Sequence, residues 1–215
     1  MRHIAQRQDI RDLILDAVDV LLARYGYRKM TMDDVARQVG IGKGTIYLHF
    51  PGKEELILSH IDRIAERVAA RLRAIAGSSD PAARRLRAML EARVLVRFDA
   101  VLDYSQNLSD LLSSVRASLV ARRESYFELE AKLLEEVLRE GIRTGALECD
   151  NPRAAARILV LSTNALLPFS LSARELGRRE DVADQVGRIA DLLIKGLLSR
   201  RVPAAPQPPT RIKTK

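Results

Sequence analysis

Residues 42–49 bring together side chains that can bind a polyanion. Lys43 lies between two glycines, and Thr45, Tyr47 and His49 follow it at short intervals. They offer a cation, a hydroxyl with a methyl group, a phenol and an imidazole, which suit contacts to phosphates and to the base edges of a duplex groove. Glycines beside the lysine let the backbone approach a phosphate, and the free N–H groups at the start of a helix bind anions. The pattern therefore predicts phosphate-binding chemistry in this segment.

Two short helices joined by a glycine turn must position these side chains. Thr31 with Asp34 three residues later is a variant of the capping box and predicts a helix start. Gly40 lies where a tight turn needs a positive φ, and a second helix follows over Lys43–His49. A longer helix over Ile10–Tyr25, ended by a glycine, completes a helix-turn-helix pattern. The apolar residues expected in its core are Met32, Val35, Ala36, Val39, Ile41, Ile46 and Phe50.

The glycine-rich sequence at residues 40–45 raises the alternative of a nucleotide site. A P-loop needs four residues between its first glycine and Gly-Lys-Ser/Thr, and it needs a preceding strand; both are absent. Gly40, Gly42 and Gly44 also lack the GxGxxG spacing of dinucleotide-binding folds. A nucleotide site is therefore disfavoured, and the remaining alternative is a plain helical corner with solvated polar side chains.

The segment from Thr31 to Leu56 resembles the DNA-binding domain of the TetR family of transcriptional regulators, and the similarity runs from about Arg7 to Leu58. The resemblance implies a homodimer that binds double-stranded palindromic operator DNA, usually as a repressor, and is released by a small-molecule effector. The alternative is an architectural DNA-binding protein, or one controlled by a protein partner, without a small-molecule ligand.

The resemblance also implies roles for single residues. Family members bind phosphates with the threonine before the second helix and with a tyrosine and a lysine at the positions of Tyr47 and Lys53. The DNA-binding residues expected on this basis are Thr31, Lys43, Gly44, Thr45, Tyr47, His49 and Lys53. Ile41 and Gly42 replace the more usual valine and serine, which removes one hydroxyl contact. Capping by the threonine, surface packing of the tyrosine and plain solvation of the histidine and lysine are the alternatives.

Apolar residues recur at intervals of three and four along most of the chain, and no window alternates with period two. The sequence predicts an all-α fold of about nine helices, with an N-terminal three-helix helix-turn-helix domain and a C-terminal helical domain for ligand binding and dimerisation. Beyond the first three, the expected helices cover 54–76, 82–102, 106–120, 122–143, 152–167 and 181–198. The expected domains are 1–52 and 53–202, followed by a Pro-rich, basic, disordered tail at 203–215.

Composition disfavours several function classes. The chain has 215 residues, of which 47% are hydrophobic and 30% charged, so it can build a sizeable core. Its single cysteine, Cys149, excludes an internal disulfide, and its three histidines form no HExxH motif. No nucleophile–base arrangement is evident, so we expect no enzymatic activity, no metal and no cofactor. The net charge of +8 lies largely in the segment after Ser199, which weakens any inference from charge alone.

No targeting or membrane segment is expected. Residues 1–9 are polar and continue into an amphipathic pattern, unlike a signal peptide. No stretch of about 18 uncharged apolar residues occurs, so no membrane span is predicted. We therefore expect a cytoplasmic protein without a membrane partner.

Candidates for an effector site combine polar and aromatic side chains in the second domain. Arg93 and Arg97 share a helix face and could bind an anion, and pairing with Glu91 or Asp99 on a solvated face is the alternative. Asn164 lies in an apolar helix and needs a polar partner. Five tyrosines, four phenylalanines and no tryptophan favour an aliphatic pocket over a multi-aromatic one. The candidate set is Arg93, Arg97, Phe98, Tyr104, Asn107, Tyr126, Phe127, Asn164 and Phe169.

The resemblance places the dimer interface on the last two long helices, which are the most apolar. The candidate residues are Leu159, Leu166, Val186, Ile189, Leu193 and Leu197. Core packing within one subunit is the alternative for each of them. The fourth helix would connect the two domains. If it pivots on effector binding, the separation of the two recognition helices of the dimer would change. These helices must meet half-sites about 34 Å apart.

Overall fold

The computed structural model describes residues 2–168 and 177–198, with side chains from Ile10 onward. Within these ranges it contains eight α-helices, two short 3₁₀ helices and no β-strand, which confirms the predicted all-α class. The α-helices are α1 (Arg2–Lys29), α2 (Met32–Val39), α3 (Lys43–His49), α4 (Lys53–Ala76), α5 (Ala82–Val101), α6 (Leu108–Arg143), α7 (Pro152–Ser162) and α8 (Arg179–Leu197). The first 3₁₀ helix spans Leu102–Asn107 and the second Asn164–Leu166. None of these helices is long and apolar enough to cross a membrane.

α2 and α3 start and stop where the sequence predicts, whereas α1 begins at Arg2, before the predicted start at Ile10. Gly26 has a φ of 69° and interrupts α1, so that regular helix ends there. Gly40, with a φ of 78°, is the C-cap of α2. Asp34 N donates to Thr31 Oγ1 at 3.1 Å and Thr31 N donates to Asp34 Oδ2 at 3.0 Å, which completes the capping box. Because glycine adopts a positive φ without steric penalty, the two turns are fixed by the sequence.

The core of the helix-turn-helix continues into the rest of the molecule. Its fully buried residues include Ile14, Val18, Leu22, Val35, Ile46 and Phe50. The same hydrophobic cluster extends through α4, α5, the first 3₁₀ helix and α6, where Phe98, Leu108 and Leu111 belong to it. One continuous core therefore crosses the predicted boundary between residues 52 and 53, and the division into domains stays a prediction.

α6 is one helix of 36 residues where the sequence predicted two, which corrects the expected helix count from about nine to eight in the described ranges. No glycine or proline occurs between Leu108 and Glu140, so nothing interrupts the backbone hydrogen bonds near residue 121. The serine-rich first half weakened the apolar pattern, yet Leu111 and Val115 keep it in register with the core.

α7 ends at Ser162, before the predicted end at Leu167, and the chain continues as the second 3₁₀ helix. Pro168 lacks an N–H group and favours the extended conformation seen at Leu167, so no helix continues beyond Leu166 toward it. α5 lies between α4, α6 and α8, while α7 packs on α6. This arrangement brings the polar side chains of α5, α6 and the end of α7 to one point in the interior.

Candidate functional site

α3 is fixed to the core by one side. Ile46 and Phe50 are fully buried, and the Arg11 guanidinium lies 4.4 Å from the centre of the Phe50 ring. Gly42 precedes the helix and provides no side-chain cap, so the first N–H groups of α3 remain available to an anion. The anchored side leaves the opposite side of α3 facing outward.

The outward side of α3 carries the predicted DNA-binding side chains. Lys43 and Gly44 are exposed, Tyr47 is 45% exposed, and Thr45 and His49 are half-buried. The structure therefore brings together on one short helix the residues that the sequence singles out. Their arrangement is suited to contacts with the major groove and its flanking phosphates.

Leu48 is an outward residue of α3 that sequence reasoning missed. Its side chain is 72% exposed, although leucine is usually buried. Ile46 and Phe50 point inward, so a residue midway between them on the helix points away from the core. This spacing is the sequence feature that could have identified Leu48 as an outward residue. An exposed aliphatic side chain on such a helix can contact the methyl group of thymine in the major groove.

Lys43 is held by an ion pair at the end of α3 that meets α2. Its Nζ lies 2.8 Å from Asp33 Oδ1, and both side chains are exposed. Hydrogen bonding to Asp33 raises the pKa of Lys43. A DNA phosphate at this position would compete with the Asp33 carboxylate for the lysine.

Lys53 is supported at the start of α4 and is not simply solvated. Its Nζ lies 4.2 Å from the centre of the Tyr27 ring and donates to Arg28 O at 3.4 Å. Partial burial lowers the pKa of Lys53. The ammonium group is thus positioned beside the C-terminal end of α1, at the same end of the molecule as the helix-turn-helix.

Thr31 performs the capping role that the sequence also allows. Its hydroxyl donates to Asp34 Oδ2 at 2.6 Å and accepts from Asp34 N. Hydrogen bonds from Thr31 lower the pKa of Asp34. The threonine remains exposed, so capping and a phosphate contact are compatible.

Arg93, Arg97 and Glu130 form a buried ionic cluster, the arginine–glutamate cluster. Arg93 Nε donates to Glu130 Oε2 at 2.7 Å, and Arg97 Nη2 donates to Glu130 Oε1. The relative exposure of all three residues is 2% or less. Arg93 also donates to Thr163 Oγ1 and, at 2.9 Å, to Asn164 Oδ1. Sequence reasoning missed Glu130 and Thr163, because both lie far from the arginines in the chain.

The alternative pairing of these arginines with their sequence neighbours is wrong. Glu91 pairs with Arg87 at 2.7 Å, and Asp99 pairs with Arg179 at 2.6 Å. Both of these pairs lie at the surface, whereas Arg93 and Arg97 point into the contact between α5 and α6. The helix face predicted to be solvated is therefore a buried one.

The remaining effector candidates lie in several separate places. Phe127 joins the arginine–glutamate cluster, with its ring centre 5.4 Å from the Arg93 guanidinium, and Tyr126 donates to Asp62 of α4. Phe98 is fully buried in the core, and Asn107 lies against Gly26 of α1. Phe169 lies outside the described residues.

Tyr104 faces the helix-turn-helix through a buried histidine. His60 Nε2 lies 2.9 Å from the Tyr104 hydroxyl and 3.5 Å from Asp19 Oδ1 of α1. Burial, together with the nearby Arg63 and Arg67, lowers the pKa of His60 to about 3. Burial also raises the pKa of Tyr104. These groups form a polar junction between α1, α4 and the first 3₁₀ helix.

The predicted dimer residues lie at different depths. Leu159 and Val186 are buried in the core of their own chain, which agrees with the alternative of core packing for these two residues. The other four are half-buried: Leu166, Ile189, Leu193 and Leu197. The large apolar side chains that α7 and α8 expose are Ile158, Leu161 and Leu192. In the described ranges, no three histidine, cysteine or carboxylate side chains converge where a metal ion could bind.

Comparisons with known proteins agree with this arrangement. The family model described as bacterial regulatory proteins, tetR family, matches residues 14–59. The uncharacterized HTH-type transcriptional regulator YhgD of Bacillus subtilis is 48% identical over 48 residues, which make up 22% of this chain and 25% of that protein. The HTH-type transcriptional repressor KstR2 of Mycobacterium tuberculosis is 28% identical over 156 residues, which make up 69% of this chain and 74% of that protein.

Solved structures share the fold over nearly the whole chain. A TetR-family transcriptional regulator from Pectobacterium atrosepticum superposes with a TM-score of 0.70 and 22% identity, covering 92% of this chain and 98% of its own. The matched relatives are transcriptional regulators, a non-enzymatic kind of protein. Residues 14–59 therefore match the helix-turn-helix of the TetR family, and the chain has the all-helical fold of solved TetR-family transcriptional regulators.

Proposed function

We propose that the chain is a homodimeric repressor that binds a palindromic operator through α3 and leaves it when a small molecule binds the second domain. The observation that carries this proposal is the outward side of α3, where Lys43, Tyr47 and Leu48 are exposed. On the opposite side of the helix, Ile46 and Phe50 are fully buried and anchor it in the core. These outward side chains add little to the core, so a role in DNA contact accounts for them. The name of the KstR2 repressor supports repression as the direction of control.

Exposed apolar side chains on the last two helices support a dimer. Ile158 and Leu161 on α7 are 57% and 63% exposed, and Leu192 on α8 is 74% exposed. Apolar side chains clustered at a surface mark protein–protein contacts. A second copy related by a two-fold axis would cover this face and present two α3 helices to half-sites about 34 Å apart.

Cavities beside α6 support control by a small molecule. One cavity of about 260 Å³ lies between α4 and α6, and another of about 310 Å³ lies between α6 and α7. Because α4 begins at Lys53 and forms a wall of the first cavity, an occupant that prefers another position of α4 would change the spacing of the two α3 helices. Ligand and DNA would then favour different states of the same protein.

Selection of bound DNA from a random pool at moderate salt tests the proposal. The wild type is compared with a Tyr47→Phe, Lys53→Ala double variant. A Tyr25→Phe, Lys132→Ala double variant, which makes the same chemical changes at exposed positions on α1 and α6, is the matched control. We expect the wild type and the control to select one palindrome, and the Tyr47→Phe, Lys53→Ala variant to bind it at least ten-fold more weakly.

A failure of this selection has a definite meaning. If no consensus emerges and all three proteins bind equally, α3 does not read DNA sequence. Deleting residues 203–215 then tests an architectural role, because an architectural protein held by its basic tail loses affinity for every sequence. Removing one side chain that neutralises a phosphate should reduce the slope of log affinity against log salt concentration by about 0.9.

A further inference from the structure

The most deeply buried charges in the described part of the chain are unequal in number. Arg93 and Arg97 are 0% and 2% exposed, and Glu130 is 2% exposed. Glu130 gives one carboxylate oxygen to each arginine, so neither guanidinium has the two-point contact that a carboxylate can provide. One negative charge therefore serves two buried positive charges.

The other partners of the two guanidinia are neutral. Arg93 donates to Val160 O at 3.0 Å, to Thr163 Oγ1 and to Asn164 Oδ1, while Arg97 donates to Arg93 O at 2.8 Å. Neutral oxygens satisfy hydrogen bonds but do not cancel charge. Among the described residues, the only carboxylate that contacts either arginine is that of Glu130. Burial of an uncompensated charge is costly, and it lowers the pKa of Arg93.

The cavity between α4 and α6 reaches the arginine–glutamate cluster at Glu130. Glu130 lines the cavity together with the apolar surfaces of Ala65, Ala69 and Leu129. Its other lining residues are Asp62, Glu66, Arg73 and Tyr126. Asp62 shares the Arg122 guanidinium with Glu55 and accepts a hydrogen bond from Tyr126, so its charge is partly compensated from the side of α6. A ligand entering here meets Glu130 before it meets the arginines.

We propose that Arg93 and Arg97 bind the carboxylate of a small anionic effector, which displaces Glu130 from between the two guanidinia. The inference rests on the proposed function and names the chemical class of its effector. A carboxylate is the group indicated, because the present occupant is a carboxylate and the planar guanidinium forks match it. The aliphatic walls of the cavity would receive the remainder of a small ligand.

Displacement of Glu130 would reach the DNA-binding end through α6 and α4. Glu130 lies one helical turn after Tyr126, and the Tyr126 hydroxyl donates to Asp62 of α4. Arg122, one turn earlier, contacts both Asp62 and, at 2.8 Å, Glu55 near the start of α4. A shift of this face of α6 therefore moves the contacts that hold α4.

The test uses sodium propionate as the probe and propionamide as its uncharged counterpart, with ionic strength held constant by sodium chloride. The melting temperature and the operator affinity of the full chain are measured for the wild type, Glu130→Gln and Arg97→Gln. We expect propionate, and not propionamide, to raise the melting temperature of the wild type saturably and to weaken operator binding at least five-fold. Arg97→Gln should lose both responses, and Glu130→Gln should respond at least ten-fold more sensitively to propionate.

Each contrary result overturns the inference. Equal effects of propionate and propionamide would show that charge is not recognised. If propionate affects Glu130→Gln but not the wild type, Glu130 is a permanent counter-ion that an effector does not displace. This comparison does not depend on Arg97→Gln, so it can be made even if that variant does not fold. Stabilisation of the wild type by propionate without loss of operator affinity would remove the effector role. Failure of the untreated wild type to bind any operator would instead contradict the proposed function, while the melting data still report on the site.

Discussion

Leu48 provides the sharpest residue-level test of DNA recognition. If its exposed side chain contacts a thymine methyl group, Leu48→Ala should weaken operator binding about four-fold, since burial of one methylene-sized group contributes about 0.8 kcal/mol. Replacing thymine by uracil in the operator removes only that methyl group. The loss caused by Leu48→Ala should therefore vanish on the uracil operator, as measured by fluorescence anisotropy.

An equal loss on thymine and uracil operators would assign Leu48 a role in the shape of α3 and not in base contact. Leu102→Ala is a suitable control, because Leu102 is also exposed but lies in the first 3₁₀ helix. It should leave both affinities unchanged.

Asp33 should limit DNA affinity by occupying Lys43. The carboxylate pairs with the lysine and repels nearby phosphates, so Asp33→Asn should raise operator affinity a few-fold and make the salt dependence steeper. Titrations at several salt concentrations measure both effects. Asp80→Asn removes an exposed, paired carboxylate remote from α3 and is the matched control. Unchanged affinity and slope in Asp33→Asn would mean that Lys43 does not bind phosphate.

At the scale of elements, Gly26 is where α1 meets the first 3₁₀ helix. A Cβ at Gly26 would lie 2.7 Å from Asn107 Cγ, whereas at Gly145, which also has a positive φ, it would meet nothing within 4 Å. Both Gly→Ala variants should lower the free energy of unfolding through backbone strain, and the strain should be larger at Gly26, whose φ of 69° and ψ of 171° lie in a region that essentially only glycine adopts. Gly26→Ala should lose at least about 1 kcal/mol more from overpacking against Asn107. Urea unfolding measures the difference.

The part of the loss in Gly26→Ala that comes from overpacking should disappear when Asn107→Ala is added, because the contact is with the Asn107 side chain. Persistence of the loss in the double variant would place its origin in the backbone alone. The contact between α1 and the first 3₁₀ helix would then not limit the size of the side chain at position 26.

Local features of the elements could be predicted from the sequence, and distant pairings could not. The capping box at Thr31, the turn at Gly40 and the anchors Ile46 and Phe50 depend on residues within a few positions of each other, so spacing was sufficient. Arg93 and Glu130 are separated by 37 residues and meet only because α5 packs on α6. The sequence therefore singled out Arg93 but predicted the wrong partners for it.

At the scale of the whole molecule, the polar junction at His60 should make stability depend on pH. The pKa of His60 is lowered from 6.5 to about 3 by burial, so between these values the unfolded chain binds a proton that the folded chain does not. The free energy of unfolding should then rise with pH, by about 1.4 kcal/mol per unit where the unfolded histidine is fully protonated, so that stability is lost progressively as the pH falls below 6.5. Between pH 5.5 and 6.5 the increase should be about 1 kcal/mol, because the unfolded histidine is already half deprotonated at pH 6.5, and urea unfolding at these two pH values measures it.

His60→Gln should reduce the slope of the free energy of unfolding against pH, whatever its effect on stability at neutral pH. Among the groups around the histidine, burial raises the pKa of Asp19, which gives a contribution of opposite sign at the more acidic pH values where carboxylates titrate. An unchanged slope in His60→Gln would mean that the histidine is charged in the folded protein.

The continuous core shared by α1 and α6 has a consequence for building chimeric regulators. Exchange of residues 1–52 between family members is an obvious way to combine one operator with another effector. In this chain, however, Leu111 and Val115 of α6 and Tyr104 belong to the same cluster as Ile14 and Val18 of α1. A transplanted N-terminal segment would meet an apolar surface shaped for a different partner. A functional graft should therefore carry along the matching residues of the first 3₁₀ helix and the first three turns of α6.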